Sequence, residues 1–225
     1  MMRSRRTFLK ISGACLLGLG AKPVLDAFAQ AEQPQILPNP NALKAGRWAM
    51  VVDTSKCKQD CRDCIDACNL AHNIPDFGRT KEEIKWIWKE PYENVFPTVE
   101  HEFVEEEVEQ KPFLVLCNHC DNPPCVRVCP VQATWKREDG IVMMDFHRCI
   151  GCRCCMAACP YGSRSFNWTR PRPYIRHDIN PDFPTRTMGV AEKCNFCVER
   201  LAKGLRPACV ESCKHGVLTF GDLDD

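Results

Sequence analysis

The chain has 225 residues, 44% of them hydrophobic but only 8% aromatic, and 30 basic residues stand against 29 acidic ones for a formal net charge of +1. That length holds one substantial domain or two small ones sharing an interface. Eighteen cysteines swell the hydrophobic fraction, which excludes an ordinary aliphatic core and means that something besides side-chain packing organises the interior.

Ser4-Arg5-Arg6-Thr7-Phe8-Leu9-Lys10 carries the twin-arginine pattern, an apolar stretch follows from Ile11 to Ala21, and an A-x-A site stands at Ala27-Phe28-Ala29. Together they predict a Tat export signal over residues 1–29. The apolar stretch is about half of the roughly 20 residues that span a bilayer as a helix, so the remainder is expected to be soluble or peripheral and to work in the periplasm. Tat carries folded proteins, so a cofactor inserted in a reducing cytoplasm can reach an oxidising compartment. Cys15 lies inside the apolar stretch and leaves with it. Loss of the signal removes Arg3, Arg5, Arg6, Lys10 and Lys22 against Asp26 alone; the remainder is mildly acidic, which argues against nucleic acid as a partner.

Residues 30–46, with Pro34, Pro38 and Pro40, read as a linker, and the fold is expected over 47–225. Trp48, Met50 and Val52 alternate with Ala49 and Val51 and predict a strand running into Cys57. Ile84, Trp86 and Trp88 alternate with Lys85, Ile87 and Lys89 and predict another, with its aromatic side against a buried surface. Glu100 to Gln110, rich in glutamate, reads as a solvated edge or hairpin. Phe113-Leu114-Val115-Leu116 runs into Cys117, Ile141-Val142-Met143-Met144 precedes Cys149, and Gly189-Val190-Ala191 precedes Cys194. Ala133–Lys136 and Val217–Phe220 read as returning strands, and Glu138-Asp139-Gly140 as a hairpin turn. The recurrence is an internal repeat of strand, cysteine loop, helical turns and strand. The stretch from Pro160 to Lys193, with Arg164, Arg170, Arg172, Arg176 and Arg186 among its prolines, is expected to be a surface loop.

Sixteen cysteines fall into four quartets: Cys57, Cys61, Cys64 and Cys68; Cys117, Cys120, Cys125 and Cys129; Cys149, Cys152, Cys155 and Cys159; Cys194, Cys197, Cys209 and Cys213. A [4Fe–4S] cube needs four thiolates, and three closely spaced cysteines on one loop supply three. In two-cluster ferredoxins the last cysteine of each run, often followed by proline, ligates the other cluster; Cys129-Pro130 and Cys159-Pro160 have this form. Crossing the fourth ligands predicts one cluster on Cys117, Cys120, Cys125 and Cys159, and another on Cys149, Cys152, Cys155 and Cys129. The same rule predicts an outer pair, on Cys57, Cys61, Cys64 and Cys213, and on Cys194, Cys197, Cys209 and Cys68. Cys154 is left as a packed free thiol, because only Cys155 keeps the spacing on both sides. The cofactors expected are four [4Fe–4S] clusters. The fold expected is α+β, a pseudo-repeated two-cluster ferredoxin-like fold with insertions, whose inner module covers about 112–160 and whose outer module joins 47–68 to 190–222.

Zinc also binds four cysteines, but zinc motifs usually present two separated C-x2-C pairs, and a disulfide scaffold would not need triplets ending in C-P. No C-x-x-C-H occurs for haem c. His72, His119 and His215 read as loop residues near cluster edges. No nucleophile, acid–base pair or nucleotide loop is recognisable, so a non-catalytic electron carrier is expected.

These motifs resemble the four-cluster ferredoxin-like subunits of bacterial membrane oxidoreductases of the NrfC, PsrB and TtrB type, over roughly Arg47 to Asp222. Within that type Ile84-Lys85-Trp86-Ile87-Trp88-Lys89-Glu90, Cys117-Asn118-His119-Cys120-Asp121-Asn122-Pro123-Pro124-Cys125 and Cys194-Asn195-Phe196-Cys197 are similar to the DsrO group. The resemblance implies a place in a DsrMKJOP-type membrane complex of dissimilatory sulfur metabolism. There, electrons would pass between a multihaem cytochrome c subunit, this chain and an NrfD-like integral membrane quinone subunit. The archaeal Hdr-like menaquinol-oxidising complex contains a counterpart. Service to a molybdopterin reductase or a nitrite-reduction complex is the alternative. Cys213-Lys214 departs from the usual C-P and puts in question the surroundings of one outer cluster.

Overall fold

The computed structural model describes residues 39–97 and 104–225; the predicted export signal, the linker as far as Pro38 and the first residues of the acidic stretch lie outside them. Trp48, Met50 and Val52 pack on the core while Val51 is 63% exposed, and this alternation forms β1 (Trp48–Val52). After a loop bearing Cys57 and Cys61 comes α1 (Asp63–Ala71), which begins with two acidic residues at its positive end and buries Cys64, Ile65 and Cys68 on one face. Next are β2 (Ile87–Glu90), two short helices α2 (Tyr92–Val95) and α3 (Glu106–Glu109), and β3 (Phe113–Leu116). The acidic stretch, where described, is thus a helical turn and not a strand edge.

From there α4 (Pro124–Arg127), β4 (Thr134–Lys136), β5 (Val142–Met144) and α5 (Cys154–Ala157) follow in order. The chain closes with β6 (Ser165–Phe166), β7 (Ala191–Glu192), α6 (Val198–Leu201), α7 (Ala208–Ser212) and β8 (Leu218–Asp222). Among the described residues every sheet is a two-stranded antiparallel pair: β1 with β8, β2 with β3, β4 with β5 and β6 with β7. Pairing Trp48 with Asp222 and Val52 with Leu218 brings the first cysteine loop to the last, and α1 packs on α7 just as α4 packs on α5. The predicted hairpin turn is present between β4 and β5, with Gly140 at φ 84°. The tryptophan-rich strand is shorter than its alternation suggests, because the Lys85 N–H donates to Ser165 Oγ instead of to a strand neighbour.

Two buried arginines correct the expectation of a surface loop between Pro160 and Lys193. Arg164 and Arg186 lie inside, whereas Arg170, Arg172 and Arg176 are more accessible. Arg186 meets Glu192 at 2.8 Å with both side chains fully buried. It also donates to the carbonyls of His72 and Asn73, while Glu192 accepts from Trp86 Nε1 at 2.9 Å and from Asn167 Nδ2. This network ties both insertions to the run entering Cys194. Removing one partner of such a pair strands a buried charge, at about 3–5 kcal/mol. Arg186→Met is expected to lose that much stability, and adding Glu192→Gln should recover part of it, as measured by denaturant unfolding of the two variants.

Candidate metal centres

In the three C-x2-C loops the residue before the second cysteine is left-handed: His119 at φ 43°, Gly151 at 71° and Phe196 at 55°. That conformation costs a non-glycine residue about 1–2 kcal/mol and turns successive N–H groups into a concavity suited to anions. The Phe196 N–H accordingly donates to Cys194 Sγ at 3.4 Å. Gly151 has a second reason to be glycine, since an added Cβ would lie 2.4 Å from the Gly189 carbonyl oxygen. The wider C-x3-C loop is held differently: Lys89 Nζ donates to the carbonyls of Lys58, Gln59 and Cys61 at 2.6, 2.9 and 2.7 Å.

Each third cysteine sits on a helix, and the fourth lies one turn on, within α1 as Cys68 or just beyond α4, α5 and α7 as Cys129, Cys159 and Cys213. The third and fourth therefore share a helical face yet reach different neighbours. Burial pushes the Cys64 thiol up to about 11, with Cys213, Cys57 and Cys61 acting the same way. Burial holds Cys68 well above the ordinary thiol value, and the thiols acting on it are led by Cys197, Cys194 and Cys209. Cys120 is raised by burial, then by Cys117, Cys125 and Cys159. Cys155 is raised by burial against the pull of Arg164, with Cys149 and Cys125 adding to the rise. Cys152 and Cys129 both act on Cys154. Neighbouring sets also touch electrostatically: Cys64 acts on Cys209, and Cys117 on Cys194.

Backbone donors reach the thiols as well, from Ala133 to Cys129 at 3.2 Å, Ala208 to Cys197 at 3.4 Å and Val217 to Cys213 at 3.3 Å. A cavity is lined by Cys117, Cys120, Cys125 and Cys159 together with Arg164 and Lys193. Among the described residues no three or more His, Cys, Asp or Glu side chains close to the spacing of a single metal ion. Four thiols and two cations around one space fit an anionic polynuclear cluster.

One side chain differs from its sequence reading, and others have surroundings that the sequence did not give. Cys154 is exposed, not packed, because Arg153 caps α5 in a left-handed conformation that leaves the first helical residue outside. His72 and His119 are buried; His72 stacks on Trp86 and its Nδ1 lies 3.5 Å from Cys68 Sγ, while burial lowers its pKa to about 3. Lys214, in place of the usual proline, pairs with Asp63 at 3.1 Å. Sequence reasoning missed Lys89 and the buried Lys193. The only signal for Lys193 was a charged pair, Glu192-Lys193, wedged between an apolar run and a cysteine.

A family profile described as a 4Fe-4S dicluster domain matches residues 109–172 and 180–223, which contain the second, third and fourth quartets. The chain is similar over its whole length, at 37% identity, to the Hdr-like menaquinol oxidoreductase iron-sulfur subunit 1 of Archaeoglobus fulgidus, covering 87% of that protein. It is also 37% identical over its whole length to a subunit of the tetrathionate reductase of Salmonella typhimurium, covering 76% of that subunit. Against the NrfC homolog of Haemophilus influenzae it is 38% identical, with 99% of this chain and 81% of the other aligned. The fold is ferredoxin-like, with mixed α and β character, and the chain belongs to this family of iron–sulfur subunits. It is a non-catalytic electron-transfer subunit whose cofactors are four [4Fe–4S] clusters.

The raised thiols imply that cluster loading is coupled to protons. Their pKa values lie above neutrality, so they stay protonated in the metal-free chain, and each thiolate–iron bond expels a proton. Anaerobic reconstitution is expected to acidify a weakly buffered solution and to proceed further at about pH 8 than at about pH 6. A pH indicator and absorbance of the product check this; loading without proton release would contradict it.

Proposed function

We propose that the chain is the wire of an exported oxidoreductase of dissimilatory sulfur metabolism, held at the outer face of the cytoplasmic membrane by its partners. The clusters supply one-electron redox chemistry, and the residues that hold them are the crossed sets: Cys57, Cys61, Cys64 and Cys213; Cys194, Cys197, Cys209 and Cys68; Cys117, Cys120, Cys125 and Cys159; Cys149, Cys152, Cys155 and Cys129. The electrostatic groupings of the thiols support this assignment. The links from Cys64 to Cys209, from Cys194 to Cys117 and from Cys125 to Cys155 support that order of the sets in space. The wire thus has two ends, the first set and the last. Pairing of β1 with β8 and packing of α1 on α7 support an outer module around the inner one, with the two insertions between.

The single observation that carries the proposal is the full-length similarity to a menaquinol oxidoreductase subunit. Similarity to tetrathionate and thiosulfate reductase subunits favours sulfur compounds. The partners would be an NrfD-like membrane quinone subunit and a multihaem cytochrome c of a Dsr-type complex. Export would follow from the twin-arginine signal; among the described residues no helix is long and apolar enough to cross a membrane. A molybdopterin reductase is the second reading, favoured by similarity to selenate and arsenate reductase subunits; co-purified haem supports the first and molybdenum the second.

Anaerobically loaded protein is expected to hold about 16 iron and 16 sulfide per chain, and fewer than about 12 iron would contradict four cubes. In that protein iodoacetamide should modify Cys154 alone, as read by mass spectrometry after signal removal, because the other thiols are ligands.

A further inference from the structure

Arg164, Arg186 and Lys193 are buried cations, and of the three only Arg186 has a carboxylate partner, Glu192. Arg164 and Lys193, 4% and 2% exposed, form no salt bridge among the described residues. Lys193 Nζ donates to the carbonyls of Cys194, at 2.7 Å, and Val142. Arg164 Nη1 donates to Thr134 Oγ1 at 3.2 Å and meets Met144 Sδ at 3.4 Å, while its Nε and Nη2 are buried without an oxygen or nitrogen partner and the guanidinium lies against the Cys125 and Cys155 thiols. Both side chains line the cavity that holds Cys117, Cys120, Cys125 and Cys159. Beside it, His119 Nδ1 accepts the Val142 N–H at 3.0 Å, which leaves the ring proton on Nε2, also buried and unpartnered.

An uncompensated buried cation costs several kcal/mol, so two of them facing one cavity, with spare donors around it, require an anion inside. The thiols that act on Arg164 are Cys125, Cys155 and Cys117, which puts its guanidinium between the last two sets of the wire. The Cys194 set has mixed company: Lys193 acts on Cys194, but Glu199 and Glu211 both act on Cys197, and Arg200 is paired with Glu211. The Cys57 set has Lys89, which is only half-buried and is bound to three carbonyls.

We infer that Arg164 and Lys193 are the counter-charges of the cluster on Cys117, Cys120, Cys125 and Cys159, and that they make it the most easily reduced of the four, the station where an electron comes to rest. The inference rests on the ligand assignment proposed above. Reduction adds one electron from a neighbouring cluster and one unit of negative charge, with no proton; oxidation passes that electron to the next cluster. Fixed positive charge favours the more negative state by Coulomb attraction at close range. The cluster on the Cys149 set shares Arg164 alone and is raised less. That on the Cys194 set shares Lys193 but also faces Glu199 and Glu211, and sits lower.

The test is EPR-monitored redox titration of the full-length, anaerobically loaded chain and of R164Q, R164K and K193Q. Iron and sulfide analysis comes first: wild-type protein short of four clusters defeats the ligand assignment and not this inference alone. With four clusters loaded, the highest midpoint potential is expected to fall in R164Q and in K193Q by at least a tenfold change in its redox equilibrium, about 59 mV for one electron. R164K, which keeps the charge, should stay near wild type. Unmoved potentials, or an equal fall in R164K and R164Q, would overturn the inference. If R164Q fails to load, K193Q decides it by the same criterion.

Discussion

Thiols drawn together inside a protein stay protonated, and their thiolates become favourable there only when iron is present to hold them. Cys194 and Cys197 are pushed up to about 12 by burial, and Cys68 and Cys209 are raised in the same way. As bare thiols such groups pack in the core as small apolar side chains but do not bond one segment to another. The secondary structure around them could not hold them there unaided: each sheet among the described residues has only two strands, and isolated two-stranded pairs are marginal in water. Folding and metal binding are therefore coupled, and iron–thiolate bonding supplies what aliphatic packing does not. The rest of the structure follows from that dependence. The fourth cysteine of each run lies one helical turn beyond the third, and in the ligand sets proposed above it completes another run's cluster; segments far apart in sequence, β1 with β8 and α1 with α7, lie together accordingly.

How much of this was legible in the sequence depended on whether the signal was local. Cysteine spacing is local, and so are the alternation in Trp48–Val52 and the turn residues at Glu138-Asp139-Gly140; each has its counterpart in the structure. Non-local events were not legible. Arg164 and Arg186 looked like neighbours in a charged, proline-rich loop, yet both are buried, because partners for Arg186 come from positions as distant as His72 and Asn73. The strand predicted around Trp86 lost its first residues to a side-chain acceptor, Ser165, from the other insertion. Cys154 illustrates the limit within a motif: spacing identified it as the odd thiol, but only the left-handed Arg153 reveals that it faces solvent.

The three buried cations show why composition alone says little about such an interior. Arg186 and Glu192 neutralise each other, and their hydrogen bonds fix the two insertions to the fourth cysteine loop; that pair is structural. Arg164 and Lys193 are as deeply buried, and neither has a carboxylate partner among the described residues. A fold that depends on anionic clusters can leave protein cations unpaired where an ordinary core could not, because the cofactor is the missing partner. The imbalance carries information, since the charges differ from one set of thiols to the next: Arg164 and Lys193 line the Cys117 set, while at the Cys194 set Lys193 is offset by Glu199 and Glu211. Near-identical cubes held by near-identical loops would otherwise have similar potentials, and the residues between the loops are where one cluster can be distinguished from the next.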